Sequence, residues 1–272
     1  MIAPACLALL ARPLRLPHIF AVMIARFFTR GRPEEGIAPE VPAGSRVYAI
    51  GDIHGRADLL GHLHQLIHED AYRRQAPRNV VVYLGDYIDR GQESAAVIDL
   101  LLDDPLPAFE RVHLKGNHED SLLRFLGDIG IGPAWFSYGG DATLTSYGVA
   151  PAARPQELLR VQRELARLLP ERHRRFFETL TLAHEEGDYL FVHAGLRPGL
   201  PLAAQNPVDL LWIRDEFLSS SADFGKIVVH GHSITARPDV QKNRIGIDTG
   251  AFASDILTCL VLEGSDWSFL QT

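Results

Sequence analysis

One pattern recurs three times between Arg46 and Glu119 and constrains the fold more than any other feature. A short apolar run reaches a glycine, polar residues follow at once, and a helix-like segment comes next. Val47-Tyr48-Ala49-Ile50 leads into Gly51-Asp52-Ile53-His54-Gly55. Residues 79–84 lead into Gly85-Asp86-Tyr87-Ile88-Asp89-Arg90-Gly91. Residues 111–115 lead into Gly116-Asn117-His118-Glu119. This is the βαβ rhythm of an α/β protein. The run Val80-Val81-Val82-Tyr83-Leu84 is apolar throughout, as suits a strand covered on both faces. In open α/β sheets, ligands bind at the carboxyl ends of the strands, where these polar residues fall.

The pattern resumes further on. Residues 189–192 end in His193-Ala194-Gly195, residues 226–229 in His230-Gly231-His232-Ser233, and residues 244–248 in Thr249-Gly250. Residues 256–262 and 267–270, split by Glu263-Gly264-Ser265, read as a closing hairpin. Helices are expected over residues 57–75 and 94–102. Leu59, Leu63, Leu66 and Ile67 give the first of these one apolar face. His62, His64 and His68, on or beside it, read as solvated or packed. Residues 121–186 read as a helical insertion, with turns over 135–148 and helices over 156–169 and 171–182. The preferred reading is packing on the sheet, and its arginines make a phosphate-facing lid the competing one.

The chain has 272 residues, of which 46% are hydrophobic and 22% charged. That is ordinary globular composition with ample core material. A formal net charge of −7 argues against a broad nucleic-acid footprint. Two cysteines, Cys6 and Cys259, supply neither a disulfide framework nor a thiolate metal site, so the expected location is cytoplasmic. Residues 1–33 are basic and lack acidic side chains. Their two apolar pieces are shorter than the ~20 residues of a membrane span. Residues 1–45 therefore read as a weakly structured extension and linker, with an interfacial anchor as the alternative. Met23 is a second candidate start.

The residues gathered at the strand ends are Asp52, His54, Asp86, Asn117, His193 and His232. On extended backbone Asp52 and His54 point the same way, so both can reach one ion. One ion needs about four to six ligands, and here water adds to two carboxylates, an amide oxygen and three imidazoles. They suit two divalent ions sharing a carboxylate, and favour manganese, iron or zinc over calcium. His230 reads as packing or as support for a ligand. Asp248 reads as a backbone cap near the site.

This ordered motif series resembles that of the calcineurin-like metallophosphoesterases. The Asp89-Arg90-Gly91 and Gly116-Asn117-His118-Glu119 forms are similar to the serine/threonine phosphoprotein phosphatase branch. Leu211-Trp212-Ile213-Arg214 and Ile247-Asp248-Thr249-Gly250-Ala251 are similar to its bacterial and phage-type members. The resemblance covers residues 46–272. It implies two mixed β-sheets packed as a sandwich and flanked by helices. It also implies hydrolysis of phosphomonoesters by a hydroxide activated between two divalent ions, most simply Mn2+, with Fe or Zn as alternatives. By the resemblance, Asp52 and His54 hold the first ion, Asp86 bridges, and Asn117, His193 and His232 hold the second. His118 is the general acid, oriented by Asp89, while Arg90 and Arg214 grip the phosphate with Asn117 assisting.

The implied substrate is a phosphorylated protein or a small phosphoester. The competing activity is symmetrical hydrolysis of dinucleoside polyphosphates, including capped RNA ends. His54 favours the phosphatase, since related dinucleotide hydrolases often carry Gln there. The Tyr-containing carboxyl-terminal motif of the eukaryotic phosphatases is absent after His232. A non-hydrolytic phosphate-binding scaffold is the reading from another class, and the intact ligand set opposes it.

Overall fold

The computed structural model describes residues 38–272. The expectations for residues 1–37 lie outside the described residues. Strand β1 (Ser45–Ile50) is buried along its whole length. Its side chains alternate, as the pleat requires. Val47 and Ala49 enter the core between the two sheets, whereas Tyr48 and Ile50 enter the core beneath the helices. Helix α1 (Ala57–Arg74) covers that second face with Leu59, Leu60, Leu63 and Ile67. β2 (Arg78–Tyr83), α2 (Ser94–Leu102) and β3 (Glu110–His113) continue the alternation.

A helical region follows. It comprises α3 (Asn117–Gly127), α4 (Gly132–Trp135), a π-helical turn (Phe136–Gly140), α5 (Asp141–Ser146), α6 (Leu158–Leu168) and α7 (Glu171–Thr179). Strands β4 (Ala183–Glu186) and β5 (Tyr189–Val192) open the second sheet. Two short helices, α8 (Pro207–Trp212) and α9 (Asp215–Leu218), precede β6 (Ile227–His230), β7 (Asp239–Val240) and β8 (Arg244–Gly246). One turn, α10 (Ala251–Ser254), leads to the hairpin β9 (Thr258–Glu263) and β10 (Asp266–Gln271).

The first sheet has the order β10-β9-β1-β2-β3 and the second β4-β5-β6-β8-β7. Each has three parallel strands, β1-β2-β3 running to one edge of the first sheet with antiparallel β9 beside β1, and β5-β6-β8 at the centre of the second with antiparallel β4 and β7 outside them. Val80, Val82 and Leu260 of one sheet meet Phe191, Val229 and Ile245 of the other in a shared interlayer core. Leu190, Val192 and Val228 face outward under Leu210, Ile213 and Phe217. The fold is thus the expected sandwich of two mixed sheets flanked by helices. Among the described residues no helix is long and apolar enough to cross a membrane.

Two local expectations need correction. Residues 135–146 are helical, and only 147–148 form a turn. Gly139 takes φ 105° and lets the π-helical turn pass into α5, while buried Trp135, Thr143 and Leu144 anchor the segment. Tertiary packing here overrides the poor helix propensity of glycine. Second, α7 stops at Thr179, and residues 183–186 form a strand on the edge of the second sheet. Arginines of the insertion, the basis of the competing lid reading, are engaged at the surface. Arg154 pairs with Glu157, Arg160 with Glu164, Arg172 with Asp99 and Asp103, and Arg175 with Glu171.

Candidate active site

The polar loops leave the carboxyl ends of the parallel strands in both sheets and converge on one seam. Asp52 and His54 follow β1, residues 85–91 follow β2, and Asn117, His118 and Glu119 open α3 after β3. His193 follows β5, His232 follows β6 and Asp248 follows β8. Asp52, His54, Asp86, Asp89, Asn117, His118, His193 and His232 are all buried.

Asp86 lies at the centre. Its Oδ2 is 3.6 Å from His54 Nε2, 3.4 Å from His193 Nε2 and 3.7 Å from His118 Nε2. Two groups able to hold a cation share it: His54, Asp86 and His118 on one side, and Asp86, His193 and His232 on the other. Asn117 Oδ1 is 2.9 Å from His193 Nε2. Asp52 Oδ2 is 4.0 Å from His54 Nε2, and the His232 backbone N–H donates to both Asp52 oxygens. The six residues expected as ligands are therefore together. His118 lies beside His54, with ring centroids 4.6 Å apart. The geometry differs from expectation in the 52–54 turn, since His54 has φ 46° and is not extended.

Close approach requires particular residues. A Cβ on Gly116 would sit 2.4 Å from the Asp86 nitrogen, so only glycine lets the β2 and β3 loops touch. His54, Asp86, Asp89, Arg90 and His232 all take left-handed backbone. They are five of the eight non-glycine residues that do so among those described. Such backbone costs about 1–3 kcal/mol per residue and concentrates where a site imposes it.

The imidazoles are set up to ligate. His54 Nδ1 donates to the Ile88 carbonyl at 2.8 Å, and His193 Nδ1 donates to that of Leu84 at 2.9 Å. A donating Nδ1 leaves the Nε2 lone pair facing inward. The Nε2 atoms of His54 and His232 are buried without a partner. Burial keeps both imidazoles neutral, lowering His54 well below its ordinary pKa and lowering His232 as well. Burial works against the charge on Asp86, but His193, His118 and His54 outweigh it and hold its carboxyl well below the usual range. Asp52 moves the other way, raised by burial and by Asp248 and Asp86. Inward lone pairs without partners beside carboxylates form a donor set that fits divalent cations.

His118 is arranged differently. Its Nδ1 donates to Asp89 Oδ2 at 2.6 Å. Burial opposes its charge, yet Asp86 and Asp89 hold its pKa up at about 9. Asp89 also accepts from Trp135 Nε1 at 2.8 Å and from Thr143 Oγ1 at 2.5 Å. The Arg90 guanidinium lies 4.7 Å over the Phe252 ring, which packs edge-on against His54. Exposed Arg214 donates to the His232 carbonyl and to Ser233 Oγ. One arginine thus stands on the His54 side and the other on the His232 side.

Two readings made for neighbouring residues fit. Asp248 Oδ1 accepts from Gly250 N–H, and His230 packs edge-on against Phe217. His64 is buried and bonded to the Tyr83 hydroxyl. The sequence reading gave no role to Glu119, Ser94, Trp135, Thr143 or Phe252. Glu119 had a signal, since an acid three residues past a helix start often bonds back to it. Trp135, Thr143 and Phe252 act through residues distant in sequence, and Ser94 meets Asp89 across five positions with no spacing that announces it.

Fold and site together define a two-sheet sandwich whose buried carboxylates and imidazoles meet at one seam and could hold divalent cations. The sequence profile of the calcineurin-like phosphoesterases matches residues 45–253. The chain belongs to that family and is a phosphoric-ester hydrolase of a class that uses divalent metals. It is 38% identical over 96 residues to serine/threonine-protein phosphatase 2 of Escherichia coli (strain K12). That match takes in 35% of this chain and only 38% of the relative. It is 24% identical over 239 residues to an asymmetrical bis(5'-nucleosyl)-tetraphosphatase of Bacillus thuringiensis (strain Al Hakam), covering 78% of this chain and 88% of that one. A solved structure described as a candidate diadenosine tetraphosphatase superposes with a TM-score of 0.53 at 20% identity, covering 86% and 98% of the two chains. At that identity the likeness is one of fold.

Proposed function

We propose that this chain is a cytoplasmic, metal-dependent phosphomonoesterase whose substrates are proteins carrying phosphoserine or phosphothreonine. The observation that carries the reading is the shared Asp86, with one imidazole group on each side and the His118–Asp89 pair beside it. Asp52, His54 and Asp86 would hold one divalent ion, and Asp86, Asn117, His193 and His232 a second, with Mn2+ preferred to Fe or Zn. Such ions lower the pKa of water and offset the charge of phosphoryl oxygens.

The chain's own groups do the rest. Arg90 and Arg214 approach from opposite sides of the ligand cluster, and a planar guanidinium binds two phosphate oxygens while keeping its charge. Asn117 can offer its amide N–H to a third oxygen. His118 holds its proton at Nε2, fixed by the Nδ1–Asp89 bond, and passes it to the departing oxygen. A positioned acid contributes roughly 10²- to 10⁴-fold.

The protein-phosphatase reading draws support from the Escherichia coli relative and from His54. The length of the match to the Bacillus relative favours a second reading, hydrolysis of dinucleoside polyphosphates. Turnover of a phosphothreonine peptide and of diadenosine tetraphosphate by the Mn2+-loaded enzyme separates the two. We expect kcat/KM to favour the peptide, and a preference for the dinucleotide overturns the substrate reading. Asp86→Asn should abolish turnover of both, and its survival would overturn the site assignment instead.

A further inference from the structure

We propose that Trp135 and Thr143 are positioning residues for proton transfer, holding the Asp89 carboxylate that aims His118. The inference rests on the acid role given to His118 above. Asp89 is fully buried, and both of its carboxylate oxygens are engaged. Oδ2 accepts from His118 Nδ1 at 2.6 Å and from Trp135 Nε1 at 2.8 Å, and Oδ1 accepts from Thr143 Oγ1 at 2.5 Å. The Asp89 backbone N–H donates to Thr143 Oγ1 at 2.9 Å and to Ser94 Oγ at 3.1 Å. Ser94 and Thr143 are bonded to each other at 2.9 Å. Two donors other than His118 thus fix the plane of the carboxylate. The hydroxyl of Thr143 also braces the left-handed backbone of Asp89, which has φ 71°.

The plain alternative is that Trp135 is core packing, since its ring lies 5.2 Å from that of Phe125 and 5.4 Å from that of Phe136. Packing alone needs no indole N–H, and phenylalanine would serve. The N–H is instead aimed at the same oxygen that orients His118. An indole nitrogen can only donate and a carboxylate can only accept, so the direction of the bond is unambiguous. If either donor is lost, the carboxylate can turn, and the His118 ring follows it through Nδ1.

The test compares an activated aryl ester, para-nitrophenyl phosphate, with a phosphothreonine peptide whose leaving group is an alkoxide. A poor leaving group depends on the acid and a good one does not. Trp135→Phe and Thr143→Val should each lower kcat on the peptide by about tenfold or more, near the lower end for loss of acid catalysis. Turnover of the aryl ester should stay within about threefold, and Thr143→Ser should restore the peptide rate. In a His118→Asn background, neither substitution should cost the peptide rate anything further, because residues acting as one unit are not additive. Equal losses on both esters, or none on either, would overturn the proposal. Should Trp135→Phe fail to fold, the Thr143 pair decides alone. If His118→Asn itself harms both esters equally, the acid assignment has failed. If His118→Asn is selective while Trp135→Phe and Thr143→Val are not, only the positioning role has failed.

Discussion

Glu119 shows how much of the site depends on a residue whose hydrogen bonds go to the backbone. Its buried carboxylate accepts from the backbone N–H groups of Gly116, Asp86, Tyr87 and, at 3.3 Å, Ile88. Burial and the neighbouring Asp86 push its pKa up to about 7. The surrounding N–H donors favour its charged form, and one carboxylate thereby ties the loop after β2 to the start of α3. Glu119→Gln keeps the shape but turns an amide NH2 toward at least one of these donors. An unsatisfied buried group costs about 1–3 kcal/mol. We expect a loss of that size in urea denaturation, together with lower metal occupancy measured on the purified protein. Unchanged stability and occupancy would show that Glu119 does not hold the loop. The residues proposed as ligands were legible because each is a polar residue where an apolar strand ends. Trp135 and Thr143 were not, since they stand 46 and 54 positions from the carboxylate they hold. Sequence adjacency carries no trace of that contact.

Among elements, the one that departs most from its sequence reading is residues 132–146. Gly139-Gly140 and Tyr147-Gly148 look like turn signals; Gly148 does lie in a turn, whereas Gly139 and Gly140 let a helical segment pack closely on Arg90 and Trp135. The Gly139 carbonyl accepts from Arg90 N–H at 3.1 Å, and a Cβ on Gly139 would lie 2.8 Å from that nitrogen. With φ 105° as well, a side chain there is strained and pushes on Arg90. Gly139→Ala should raise KM by about tenfold, the loss expected when one bond to a charged phosphate is spoiled. Steady-state kinetics on a phosphothreonine peptide checks this, and an unchanged KM would separate the segment from phosphate binding. The central strands were legible because their apolar runs have clear ends. β4 and β7, four and two residues long, are too short and too polar to produce a pattern. They take strand form because an edge of the second sheet is there to receive them.

At the scale of the whole molecule, acid stability follows from histidines buried without charge. Burial lowers His64, bonded to Tyr83, to about 4, and likewise lowers His113, stacked on the same ring at 4.9 Å, to about 4. Both have an ordinary value of 6.5. The unfolded chain takes up these protons below pH 6.5 and the folded chain only near pH 4. Stability is therefore full above pH 6.5 and falls as pH drops through that window. At pH 5 each histidine costs on the order of 2 kcal/mol. Urea midpoints at pH 7 and pH 5 should differ accordingly, and His64→Gln with His113→Gln should narrow the gap. An unchanged gap would place the acid sensitivity elsewhere.

The ligand cluster draws Asp52, His54, Asp86 and Asn117 from one layer and His193 and His232 from the other. Alignment of the site is therefore a property of how the two layers are registered against each other. That register rests on an interlayer core in which Val82, Phe191 and Ile247 take part, none of which carries a polar side chain. A substitution among these three would change catalysis by sliding one half of the cluster past the other. In kinetics it would look like an active-site mutation although it lies in plain hydrocarbon.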